Sequence, residues 1–338
     1  MFKQKELLEL AVMAAFEAAR EVMDVYARDF SVESKEDSSP LTEADTRSHD
    51  AIIARLEAGA GSPAAPEADP ILSEEGAHLP HAEREAWKRF WLVDPLDGTK
   101  EFIKKNGEFT VNIALMEQGA AAGQAAGADT PAQGASPTLG VVFAPDMEEL
   151  YVGEVGTAAF RLKIAPGHAI PDLDQIVEEG ERLPVGAEMG GPGADGGPGG
   201  DAGAPGGGSS GAGGGAGVGP AAARSAEAGA AARPYTIVAS RSHLSPETEA
   251  FIEERRKEHP DLDMISAGSS LKICRVAEGA ADEYPRFAPT MEWDTAAGDA
   301  VARAAGCAVL AWDPQDREAG PLRYNKEDLH NPWFLVRR

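Results

Sequence analysis

Cysteine is nearly absent from this 338-residue chain: Cys274 and Cys307 are the only two. That excludes a disulfide framework and fits a reducing, cytoplasmic setting with both residues as buried thiols. Basic residues are also scarce. Lys and Arg total 31 against 56 Asp and Glu, a formal charge of −25, which argues against general attraction to a nucleic-acid polymer, because a phosphate backbone calls for a basic footprint. No run of about 18 apolar residues occurs, so no transmembrane segment is expected. The opening Met1-Phe2-Lys3-Gln4-Lys5-Glu6-Leu7-Leu8 leads into a charged amphipathic segment rather than an apolar signal region. Such acidity makes for a self-repelling, well-solvated surface. An anionic substrate would then need a site that reverses the field locally, which metal ions do well.

What is present begins with a helical spacing of Leu7, Leu8, Ala11, Ala15, Phe16 and Val22, which predicts a helix over residues 5–29. Thr42 is a suitable N-cap, with Asp45 at the matching offset, for a second helix to about Ala58. Ile71-Leu72 and Phe90-Trp91-Leu92-Val93 read as short strands that deliver Glu74 and Asp94 at their ends. Phe109 to Met116, Leu139 to Ala144 and Leu150 to Glu154 read as three more. A Gly/Ala-rich connection, Glu117 to Thr138, looks like a lengthened hairpin loop, and a Gly/Ala/Pro-rich stretch over 185–233 reads as flexible linker. The predicted organisation is an N-terminal α+β metal-binding subdomain over 1–184 with a loop insertion at about 117–138. The linker and a C-terminal α/β substrate-binding subdomain over 234–338 follow. In that last part a strand over Tyr235 to Ala239, a helix capped by Ser245 with Pro246 at its first position, and a helix from Lys272 to Glu278 alternate. Asp294 opens a further helix. The alternation suggests layered α/β architecture.

The chemistry concentrates in Trp91-Leu92-Val93-Asp94-Pro95-Leu96-Asp97-Gly98-Thr99. Pro95 fixes its own φ and keeps Asp94 extended, so both aspartates can face one point beyond the strand. Glu74 and Asp294 are acids at comparable positions. Four clustered carboxylates would repel one another by about 4 kcal/mol per close pair at moderate dielectric, so the arrangement makes sense around divalent ions. Hard oxygen ligands suit Mg²⁺, and the Leu96 carbonyl is a natural further ligand. Two such ions about 4 Å apart can activate a water and stabilise a leaving oxygen in phosphoryl displacement. Thr99 with Glu74 could orient and deprotonate that water, and Gly98 lets backbone amides approach a phosphate. Lys272 beyond Gly268-Ser269-Ser270, Arg286 and His243 are cationic or polar candidates for the rest of an anionic substrate.

Asp94-Pro95-Leu96-Asp97-Gly98-Thr99 and Trp293-Asp294-Thr295-Ala296-Ala297-Gly298 resemble the two signatures of the inositol-monophosphatase-like, metal-dependent phosphatases. The extension Lys100-Glu101-Phe102-Ile103, then Asn106 to Asn112, resembles the CysQ-type branch, the 3′(2′),5′-bisphosphate nucleotidases. Gly268 to Lys272, Tyr284-Pro285-Arg286-Phe287, Tyr324-Asn325-Lys326 and Asn331-Pro332-Trp333-Phe334 point the same way. The resemblance covers about 5–184 and 234–336. It implies an αβαβα layered sandwich of α+β type with the site between two subdomains. It also implies hydrolysis of adenosine 3′,5′-bisphosphate to AMP and phosphate, extending to the sulfated precursor, in sulfur assimilation. The implied metal ligands are Glu74, Asp94, the Leu96 carbonyl, Asp97 and Asp294 for two Mg²⁺, with Asp37 near a third, weaker ion. The implied substrate contacts are Glu74, the Leu96-Asp97-Gly98-Thr99 turn, His243, Ser269, Lys272, Arg286 and Asp294. Peripheral association with the cytoplasmic face of the inner membrane belongs to some bacterial members. Asp299 departs from the family pattern and is expected to point away from the site.

Two other readings compete. An inositol or sugar phosphate phosphatase would share the metal core, and a regulatory binding protein could use the same fold. The intact carboxylate set speaks against an idle site.

Overall fold

Leu8, Ala11, Ala15, Phe16 and Val22 bury one side of α1 (Lys5–Tyr26) completely. The helix ends three residues before the expected boundary, and Ala27, Arg28 and Asp29 beyond it are exposed. The structure, a computed structural model, describes residues 2–34, 40–77, 79–119, 134–184, 233–240, 244–315 and 317–338. A short antiparallel pair follows α1, β1 (Val32–Ser34) with β2 (Pro40–Thr42), and leads into α2 (Glu43–Ala58). Thr42 caps α2 as the sequence suggested. Its Oγ1 accepts the Ala44 N–H at 3.2 Å, while its own N–H donates to Asp45 Oδ2 at 2.7 Å.

Next come β3 (Ile71–Ser73), the short α3 (His81–Arg84), β4 (Arg89–Asp97) and α4 (Thr99–Ile103). They are followed by β5 (Thr110–Gln118), β6 (Ala135–Ala144), β7 (Glu149–Glu154), β8 (Ala158–Lys163), α5 (Leu173–Glu179) and β9 (Glu181–Arg182). The later part contains β10 (Thr236–Ala239), α6 (Pro246–Glu258), β11 (Asp263–Ser266), α7 (Leu271–Ala277) and β12 (Glu283–Arg286). It ends with α8 (Glu292–Ala304), β13 (Ala308–Asp313), β14 (Arg317–Pro321) and β15 (Phe334–Arg337). No helix among the described residues is long and apolar enough to cross a membrane.

The strands make two large sheets, ordered β3-β4-β5-β6-β7-β8-β9 and β11-β10-β12-β15-β13-β14. In the first, β3 and β4 run parallel and every later pair is antiparallel. Its period-two pattern faces two cores. Trp91, Val93, Val111, Ile113, Val141 and Phe143 pack with α1 and α2, whereas Phe90, Leu92, Ala114, Met116 and Val142 pack with α7 and α8. The far side of the second sheet packs Ile237, Phe287 and Leu335 against Phe251 and Ile252 of α6. The result is helix, sheet, helix, sheet, helix: the layered α+β sandwich. Close contact of α8 with the first sheet depends on Gly140, where a Cβ would lie 2.3 Å from the Ala297 carbonyl oxygen.

Both Met1–Gly186 and Pro234–Arg338 belong to one packed unit. Further boundaries shift near the acids. The strand expected to end at Val93 continues to Asp97 through a bulge between Asp94 and Asp97, and α8 begins two residues before Asp294. The strands β8, β9 and β12 to β15 had no expectation; β12 is Glu-Tyr-Pro-Arg and β14 is Arg-Glu-Ala-Gly-Pro, neither with an alternating apolar signal. The expected hairpin joins β5 to β6, but residues 120–133 of its connection, and 185–232 of the expected linker, lie outside the described residues.

Candidate active site

The parallel strands β3 and β4 end side by side, and the Glu74 N–H donates to the Val93 carbonyl at 3.1 Å. Glu74 therefore leaves β3 next to Asp94. Asp94 is almost wholly buried, and its Oδ1 accepts the Leu96 N–H at 3.1 Å. Beyond the bulge, Asp97 is held from the opposite side by the segment before α7. Its Oδ2 accepts the Ser270 N–H at 2.7 Å and lies 2.9 Å from the Ser270 hydroxyl, while Ser269 Oγ donates to the Asp97 carbonyl at 2.9 Å. Gly98 turns the chain with φ 89°, and a Cβ there would meet the Glu108 carbonyl oxygen at 3.2 Å. Asp294 lies in the first turn of α8, where its Oδ2 accepts the Met291 N–H at 2.9 Å. The Ser270 hydroxyl is also 2.7 Å from the Asp294 carbonyl, so one residue ties the two aspartate elements together.

Burial and company act on Asp94 and Asp294 in one direction. Asp94 is pushed well above the usual carboxylate range, first by burial and then by the charges of Glu74, Asp97 and Asp294, and it is within hydrogen-bonding reach of Glu74. Asp294 is pushed up to about 8, again first by burial and then by Asp97. Glu74 and Asp97 are thus near enough for their charges to act on both Asp94 and Asp294. Among the described residues no group of three or more His, Cys, Asp or Glu side chains is arranged to hold a metal ion. The donor set nevertheless fits a hard divalent cation, being all oxygen and bearing more negative charge than a buried site tolerates unaided. The Leu96 carbonyl accepts from the Thr99 hydroxyl at 3.3 Å.

Asp97 and Asp294 open onto a cleft of about 530 Å³ lined also by Gly98, Ser269, Lys272 and Arg286 among others. Lys272 is buried there, and burial holds its ammonium down at about 8 while it donates to the Ser269 carbonyl at 2.8 Å. Arg286 donates to the Pro289 carbonyl at 3.1 Å. Asp37 and His243 lie outside the described residues. Asp299, as expected, points elsewhere: it is fully buried, bound to Arg303 at 2.5 Å and to the Tyr324 hydroxyl at 2.7 Å.

Helix α2 contributes what the sequence reading did not assign. Asp45, placed there only as a cap, also accepts from the Thr99 hydroxyl through Oδ1 at 3.2 Å. Ser48 donates to the Pro95 carbonyl at 2.7 Å, and His49 Nδ1 lies 2.9 Å from Ser73 Oγ. Residues i, i+3 and i+4 of one helix face thereby back the Thr99 turn, the Asp94–Asp97 bulge and the end of β3. No local signal separates such a face from an ordinary capping box.

Residues 3–126 and 212–333 match the sequence profile of the inositol monophosphatase family. The chain is 36% identical to the 3′(2′),5′-bisphosphate nucleotidase CysQ of Shigella flexneri over 98% of its own length and 99% of that protein. The same identity and coverage hold for the CysQ of Escherichia coli strain K12. Among solved structures, CysQ from Bacteroides thetaiotaomicron, described as a bacterial member of the inositol monophosphatase family, superimposes with a TM-score of 0.70. It shares 41% identity, with 98% of this chain and 97% of that one covered. An inositol monophosphatase from Thermotoga maritima shares the fold at 20% identity, with a TM-score of 0.60 over 98% of this chain and 91% of that one.

Proposed function

The chain belongs to the inositol monophosphatase family, and from that premise we propose that it hydrolyses the 3′-phosphate of adenosine 3′,5′-bisphosphate, giving AMP and phosphate with two Mg²⁺ as cofactors. Members of the family are metal-dependent. The observation that carries the reading is the convergence of Glu74 and Asp97 on two buried acids, Asp94 and Asp294, which burial and these neighbouring charges both raise. Full-length relatives named 3′(2′),5′-bisphosphate nucleotidase support the choice of substrate.

Glu74, Asp94, Asp97, Asp294 and the Leu96 carbonyl would hold the cations. When bound, these supply positive charge at the phosphoryl oxygens and make a water acidic enough to attack at neutral pH. Around them the chain's own groups divide the work. Asp45 polarises the Thr99 hydroxyl and serves as the acceptor for a proton passed through it. This adds a second acid to the role first given to Glu74 with Thr99. Ser270 fixes Asp97 through two contacts, so that carboxylate presents a set orientation. Gly98 allows the turn's backbone close to a phosphate oxygen. Ser269, Lys272 and Arg286 line the volume left for the nucleoside. Asp37 and His243 remain candidates for a third ion and the base.

Phosphate release from adenosine 3′,5′-bisphosphate and from inositol monophosphate, each with Mg²⁺ and with a chelator, tests the proposal. Turnover is expected with the bisphosphate and Mg²⁺. Chelator-resistant activity, or a preference for inositol monophosphate, refutes it.

A further inference from the structure

Four cationic side chains line the cleft, and they are not equivalent. Lys272 and Arg286 already donate to main-chain carbonyls. Lys100 and Lys104, on α4 and its C-terminal cap, are exposed, with no side-chain hydrogen bond or ion pair among the described residues.

The packing of α4 explains why this pair faces the cleft. Phe102 is fully buried and meets Phe30, Tyr26 and Phe109 with ring centroids 4.9, 5.1 and 5.1 Å away. Lys105, three residues on, takes φ 55° and lays its ammonium over Tyr26 and Phe30, at 4.1 and 4.7 Å from the ring centres. Those contacts anchor one side of the segment. Lys100 and Lys104, four residues apart, share a side and line the cleft together. Lys100 follows Asp97 by three residues, and Lys104 lies about 6 Å further along the helix axis. Positive charge thus runs outward from the acidic turn, in a molecule of net charge −25. Glu101 and Glu108 line the same stretch, so an anion settling there depends on both lysines.

We infer that Lys100 and Lys104 bind the phosphate that is not cleaved, and so select a bisphosphate over a monophosphate. Two flexible ammonium groups can share the oxygens of one phosphate, and a monophosphate leaves them unused. The inference rests on the phosphatase reading above.

The test uses the full chain with Mg²⁺ and two substrates that differ only in the second phosphate, adenosine 3′,5′-bisphosphate and adenosine 3′-phosphate. In K100Q/K104Q the bisphosphate-to-monophosphate ratio of kcat/KM should fall about tenfold, chiefly through KM for the bisphosphate. K100R/K104R should retain most of the ratio. An unchanged ratio in the glutamine variant, or wild-type protein that treats the two substrates alike, overturns the assignment. Wild-type protein that releases phosphate from neither overturns the reading beneath it.

Discussion

Asp94 and Asp97 were legible in the sequence because proline and glycine constrain the bulge between and after them. Asp45 was not, since a capping box fully accounts for an acid three residues after Thr42. Its second contact, with Thr99, depends on chain 54 residues away. Asp94→Asn should lower kcat by at least about a thousandfold while leaving the melting temperature level or higher, because a neutral amide replaces a repelled acid. Asp45→Asn should lower kcat by about a hundredfold with little change in KM; an equal loss in Thr99→Ala, and no further loss in the double variant, would show that the pair acts as a unit. The raised acids also set a pH effect. A folded Asp294 with a pKa near 8 holds a proton that the unfolded chain loses near pH 4, so metal-free protein loses this contribution to stability as pH rises from about 4 to 8. A cation displaces that proton. Mg²⁺ binding at pH 7 should therefore release protons, from Asp94 as well as Asp294, and the Asp294 share should fall away at pH 9. Calorimetry in buffers of different ionisation enthalpy reads it, and heats independent of buffer at pH 7 would contradict it.

The start of α8 is the element on which the site depends most, and most of its support comes from the chain's end. Glu292 is fully buried and accepts the Asn325 N–H at 2.6 Å, the Lys326 N–H at 3.1 Å and the Lys326 ammonium at 2.5 Å. Arg84 donates to Asn325 Oδ1 and the Lys326 carbonyl, both at 2.8 Å. The Asn331 amide lies 2.6 Å from the Met291 carbonyl and 3.0 Å from Thr295 Oγ1. Tyr324-Asn325-Lys326 and Asn331 were recognisable as motifs, but nothing local said that they clamp a helix more than 25 residues earlier. Glu292→Ala strands those donors and should cost about 3 kcal/mol in urea unfolding. Because Asp294 follows by two residues, the same variant should bind Mg²⁺ more weakly. Wild-type Mg²⁺ affinity in a destabilised variant would separate the clamp from the site.

At the scale of the whole molecule, the layered order followed from alternating strands and amphipathic helices, whereas the path of the second sheet did not. Its strands β12 and β14 carry proline and charge, and take their places through pairing with β15 and β13. The acidic surface has its own consequence. A net charge of −25 repels itself over distances that salt shortens from about 30 Å at 0.01 M to about 8 Å at 0.15 M. The melting temperature should rise over that range of monovalent salt, and a flat or falling curve would count against the charge argument. Deleting residues 190–228, within the Gly/Ala/Pro-rich stretch, should leave kcat/KM within about twofold. Asp45 and Asp294 bear on the molecule's history as well as its chemistry, since each also accepts the backbone N–H of the residue that caps its helix, Thr42 and Met291. A descendant that gave up hydrolysis to serve only as a scaffold would find these two acids the hardest to discard.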